Sequence, residues 1–136
     1  MLSEINLLRA TIFISALGYA LLWVFPYFFM NFYGREYYDI YLQNGFGAKQ
    51  IFPIPIVYAI AIWYILSKIS LIFFIKYTRE LFFVLMAVNV IIASLSGMSV
   101  ATPIESTIGY LVVLFDGIIL SWVYFSPDVK RCFAKK

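Results

Sequence analysis

Polar and charged residues fall in clusters along this chain, and between the clusters run four apolar stretches. Each is close to the roughly 20 residues an α-helix needs to cross a hydrocarbon layer. The stretches cover about 7–30, 53–75, 79–96 and 103–125, and they predict an all-α, integral membrane, antiparallel four-helix bundle. A single transmembrane domain over 1–136 is expected, with no internal repeat or linker. The first stretch begins near a charged N-terminus, as a secretory leader does, but no charge occurs between Arg9 and Arg35. A leader's apolar region spans only about 7–15 residues, so a retained span is expected.

Helix ends are marked by punctuation. Thr102-Pro103-Ile104-Glu105 reads as a capping box with proline at the first helical position, and Ser126-Pro127 closes the same helix. Glu105 is therefore assigned a structural task. Pro26 falls in the last turns of the first span, where neighbouring helices can satisfy a freed carbonyl. Gly97 is placed to cap the third span. Beyond the fourth, Ser126 can cap a short helix that puts Val129, Cys132 and Phe133 on one face, suited to docking on the bundle or lying on the membrane. Between the first two spans, Tyr33, Tyr37, Tyr38, Tyr41 and Phe46 suit an interfacial aromatic belt, ahead of a turn at Asn44-Gly45-Phe46-Gly47. The other connections are short, so sequential helices are expected to be antiparallel neighbours. Small residues spaced four apart, Ala16/Ala20, Ala93/Gly97 and Gly117/Ser121, are candidate sites of close helix approach.

Composition agrees with this pattern: 64% of the residues are hydrophobic and 12% charged, against about 45–50% and 25% in soluble domains. The charge is net +3, and its placement matters more than its size. Arg9, Lys76, Arg79, Lys130, Arg131, Lys135 and Lys136 flank one set of span ends; Arg35 and Lys49 flank the other. This bias predicts both termini and the middle loop in the cytoplasm. An Ile-, Phe- and Lys-rich chain without an Asn-x-Ser/Thr acceptor points to a bacterial inner membrane. The basic residues sit at span ends and form no nucleic-acid-binding stripe.

Against this background the polar residues inside the spans stand out. Asp116 lies in the middle of the fourth apolar stretch, where a charge costs about 3 kcal/mol unless a partner meets it. At about 1.5 Å of rise per residue, Lys68 lies about 12 Å in from Lys76, Asp116 about 14 Å in from Phe125, Asn89 about 15 Å in from Arg79 and Ser15 about 12 Å in from Leu7. All four fall at one depth, and a Lys68–Asp116 ion pair with Asn89 adding a hydrogen bond is the expected arrangement. Three other arrangements use the same residues. Lys68 can snorkel toward the headgroups, Asp116 can be a protonated donor, and Asn89 can only join helices.

Catalytic constellations are missing from the sequence. There is no histidine, the one cysteine (Cys132) lies in the tail, and Asp116 is the only carboxylate at membrane depth. Nucleophilic triads, paired-carboxylate chemistry and the commonest metal sites therefore lack their parts, and neither enzyme activity nor a cofactor is expected. Cys132 can be lipidated or can simply fill the tail helix. Two functions remain. One is a non-catalytic membrane module, an accessory, regulatory or immunity-type protein that binds another membrane protein. The other is a homo-oligomeric channel, pore or small transporter using Asp116 and Lys68. The expected partners are the lipid bilayer and either further copies or a membrane protein, with no nucleic acid.

Overall fold

A computed structural model describes residues 2–33, 36, 39–40, 52–95 and 101–134. Among these the fold is entirely helical. The helices are α1 (Leu2–Tyr33), α2 (Ile54–Ile72), α3 (Thr78–Leu95), α4 (Pro103–Phe125) and the short α5 (Pro127–Ala134). The first four are each long and apolar enough to cross a membrane, and they form a four-helix bundle. Gly97, Tyr37, Tyr38, Tyr41, Phe46 and the turn at 44–47 lie outside the described residues.

The predicted punctuation operates at the atomic level. In the α4 capping box the Glu105 N–H donates to Thr102 Oγ1 (3.0 Å) and the Thr102 N–H donates to Glu105 Oε2 (2.7 Å), satisfying two donors that a helix start otherwise leaves open. At Pro26 the helical backbone of α1 continues unbroken to Tyr33. The second span ends at Ile72, earlier than its apolar run suggests, because Phe74 adopts a left-handed backbone (φ 52°) and donates its N–H to Leu71 O (3.1 Å). A left-handed residue with a Cβ costs about 1–2 kcal/mol. Burial of its ring offsets that cost: Phe74 is covered edge-to-face by Phe133 of α5 (5.1 Å between centroids), and the Arg9 guanidinium lies 5.4 Å from its centroid.

Antiparallel packing of α1 and α2 follows from paired contacts that step in opposite directions along the two helices. Arg9 Nε donates to Ile72 O, Lys68 Nζ donates to Ser15 Oγ, Tyr19 meets Tyr64 and Trp23 meets Tyr58. Close packing also joins α1 with α4 and α2 with α3. The expectation that α3 and α4 would be close neighbours because of their short connection needs correction. Their side chains meet at Phe83 and Tyr124 (6.4 Å between centroids), but a groove separates the backbones, and α4 packs most closely on α1. The reason lies at Gly18, where a Cβ would stand 3.0 Å from a methyl of Val112. Only a residue without a side chain lets α4 come this near α1.

Of the small-residue pairs named from sequence, Gly117/Ser121 is not where this approach occurs. Gly117 has nothing within 4 Å of where its Cβ would be, and with Ser121 it lines the groove. Ala93 is exposed, whereas Ala16 is buried in the bundle.

The tail docks on the bundle. Ser126 Oγ accepts from the Val129 N–H (3.5 Å), and Val129 and Phe133 are buried beneath the α2–α3 turn, while Cys132 is half-buried. The start of α1, the α2–α3 turn and the end of α4 therefore share one end of the molecule, which carries Arg9, Lys76, Arg79, Lys130 and Arg131.

Candidate functional site

Each of three helices brings one polar side chain to a common point midway along the bundle. α1 supplies Ser15, α2 supplies Lys68 and α4 supplies Asp116, and none of the three is more than 3% exposed. The Lys68 Nζ lies 2.9 Å from Asp116 Oδ1 and donates to Asp116 Oδ2 (3.0 Å) and Ser15 Oγ (2.9 Å). An ammonium has three hydrogens, and three oxygens surround this one. Ser15 Oγ in turn donates its hydroxyl hydrogen bond to Asp116 Oδ1 (2.6 Å). The three side chains thus close a ring, with each residue bonded to both others.

Tyr64 completes the carboxylate's shell. One turn before Lys68 on α2, its hydroxyl donates to Asp116 Oδ2. Its ring lies 4.4 Å from the Lys68 ammonium, and the Tyr19 ring lies 5.2 Å from it on another side. Aromatic faces carry negative potential, so both rings favour the cation while presenting carbon to the rest of the core. The Tyr64 ring also stacks on Phe82 of α3 (5.7 Å between centroids, planes 2° apart), which draws the remaining long helix, α3, against the site.

Asn89 lies one step away from where the depth argument expected it. Its Oδ1 accepts from the Tyr19 hydroxyl (2.6 Å) and its Nδ2 donates to Leu85 O (2.8 Å), so it bonds neither Lys68 nor Asp116. Depth fixes height but not azimuth. Asn89 faces α1 at the level of Tyr19, and the Tyr19 ring connects it to the ion pair through the cation–π contact. Lys68, for its part, does not snorkel: it is fully buried and its ammonium turns inward.

Tyr64 and Tyr19 are the site residues that the sequence reading missed. Both lie one helical turn from a polar residue at the right depth, Tyr64 before Lys68 and Tyr19 after Ser15. A tyrosine hydroxyl in hydrocarbon needs a partner, and that requirement was the available signal.

The arrangement balances one cation and one anion and satisfies the carboxylate with Ser, Tyr and Lys donors. Chemically it can lock three helices at one depth and rotation, because a slip of one residue on any helix breaks several bonds at once. No known protein family, curated protein or solved structure matches this chain.

Proposed function

We propose that the chain is a non-catalytic integral membrane module, an accessory, regulatory or immunity-type protein that binds another membrane protein through its lipid-facing helix surfaces. One observation carries this reading: the polar layer closes on itself inside a single chain. Lys68, Asp116, Ser15 and Tyr64 spend their donors and acceptors on one another. What the helices present outward is apolar, including Ile62 and Trp63 on α2, Val84 on α3, and Val113 and Leu114 on α4. Helix association in lipid rests on packing of such surfaces. An ion-conducting homo-oligomer built on Asp116 and Lys68 would need these groups to face an axis shared between copies, whereas they face each other within the bundle.

The membrane in this reading is a bacterial inner membrane, with both termini in the cytoplasm. Support comes from the gathering of Arg9, Lys76, Arg79, Lys130 and Arg131 at the end where α1 starts and α5 docks.

Photo-crosslinkers placed at Trp63 and at Val113 in intact membranes test the proposal. The expected result is a crosslink to one defined second membrane protein that co-purifies stoichiometrically in mild detergent, with no ion flux in proteoliposomes. Sustained flux from the wild-type protein, abolished by Asp116→Asn with the fold intact, would overturn it in favour of the channel.

A further inference from the structure

Two features of the α3–α4 flank remain outside the polar layer, and they adjoin. The first is a cavity of about 360 Å³ at the basic end, lined by Lys76, Arg79 and Lys130 with Glu80, Tyr77 and Phe133. Three cations against one carboxylate leave it positive. Glu80 is half exposed and reaches Arg79 only weakly, at 3.4 Å. Arg79 is held between aromatic rings, its guanidinium 5.3 Å from the Phe133 centroid and 6.0 Å from that of Tyr124. Its Nε is buried and is the one such side-chain nitrogen or oxygen without a hydrogen-bond partner among the described residues. A buried N–H of a charged group left without an acceptor is unfavourable, and an acceptor entering the cavity would remove that penalty.

The second feature is the groove that separates α3 from α4, about 530 Å³ and lined by Phe83, Gly117, Leu120, Ser121, Tyr124 and Phe125. Gly117 leaves its floor open, since a Cβ there would meet nothing within 4 Å. From Gly117 to Phe125 the groove runs about 12 Å along the helix. Cavity and groove are neighbours across Tyr124, which lines the groove and contacts both Phe83 and the cavity's Arg79, two residues one turn apart on α3.

We infer that this flank is a binding site for an anionic phospholipid, with the headgroup phosphate held by Lys76, Arg79 and Lys130 and one acyl chain lying in the groove over Gly117. Charge complementarity selects the occupant. A cationic cavity beside an apolar slot matches a molecule that is anionic at one end and hydrocarbon along its length. The basic end is also where a cytoplasmic leaflet would present anionic lipid, and basic pockets between spans on that side bind such headgroups. The inference depends on the chain lying in a bilayer, not on its having a protein partner.

Native mass spectrometry of delipidated full-length protein in mild detergent, titrated with phosphatidylglycerol or with phosphatidylcholine of the same chain length, tests it. One phosphatidylglycerol per chain should be retained in preference to phosphatidylcholine. The double variant K76Q/K130Q alters two exposed side chains and should weaken phosphatidylglycerol binding by about 25-fold, about fivefold for each charge removed near the headgroup, and leave phosphatidylcholine unchanged. Gly117→Leu, which fills open space, should weaken the binding of both. Equal binding of the two lipids, no effect of K76Q/K130Q, unchanged binding in Gly117→Leu, or displacement of the lipid by inorganic phosphate would each overturn the inference. Displacement by phosphate would instead mark a site for the free anion.

Discussion

Tyr64 and Lys68, one helical turn apart on α2, donate to the same oxygen of Asp116 on α4, Oδ2. One donor is neutral and one is charged, so the carboxylate keeps a hydrogen bond that does not depend on its countercharge. The Tyr64 ring at the same time flanks the ammonium and stacks on Phe82, which makes α2 the hub linking α1, α4 and α3.

Removing only that hydroxyl isolates its share. Tyr64→Phe keeps the ring and its stack but takes a donor from a buried carboxylate, and hydrogen bonds to charged groups contribute about 1.5–3 kcal/mol. Unfolding in detergent should show a loss in that range with an unchanged helical circular-dichroism spectrum.

Tyr19 and Asn89 form a separate, neutral bond between α1 and α3. Such bonds between membrane helices are worth about 0.6 kcal/mol on average. Asn89→Ala should therefore destabilise far less than a change at Asp116. Combining it with Tyr19→Phe should cost little beyond the larger single loss, as a double-mutant comparison of unfolding free energies would reveal.

Gly18 and Gly117 make opposite predictions from the same residue type. Gly18→Val drives a side chain into Val112 at the closest approach of α1 and α4, an overpacking that costs about 1–3 kcal/mol. Gly117→Val enters open space and should leave the melting temperature in detergent nearly unchanged.

Tyr77 is 69% exposed and holds a left-handed backbone (φ 67°) in the α2–α3 turn. Glycine adopts that conformation without the Cβ clash. Tyr77→Gly should raise stability by about 1 kcal/mol, measured by the same unfolding assay, even though it removes an aromatic residue.

Much of this architecture is legible in the sequence because membrane helices are rulers. Span ends are fixed by Thr102-Pro103-Ile104-Glu105, by Ser126-Pro127 and by the basic flanks, and a constant rise per residue then gives depth. Depth placed Ser15, Lys68 and Asp116 on one level, and side chains long enough to meet did the rest. Rotation about the helix axis is what depth cannot supply: Asn89 has the right height but turns to Tyr19 instead of the ion pair. Packing order was also hidden, because it rests on the lone small residue Gly18 facing Val112, while the better-looking Gly117/Ser121 spacing borders a groove. The early end of α2 depends on Phe74 holding a conformation that its residue type disfavours, and only its long-range cover by Phe133 makes this tolerable.

The central claim is that Lys68 and Asp116 form one interaction that locks the bundle, and a double-mutant cycle tests it most directly. Unfolding free energies in detergent should be measured for Lys68→Met, Asp116→Leu and the pair together. Each single change strands a buried charge and should cost about 3–5 kcal/mol, whereas the double variant should fall well short of the sum and come close to wild type. Strictly additive losses would mean that the two side chains do not interact, and would contradict the account.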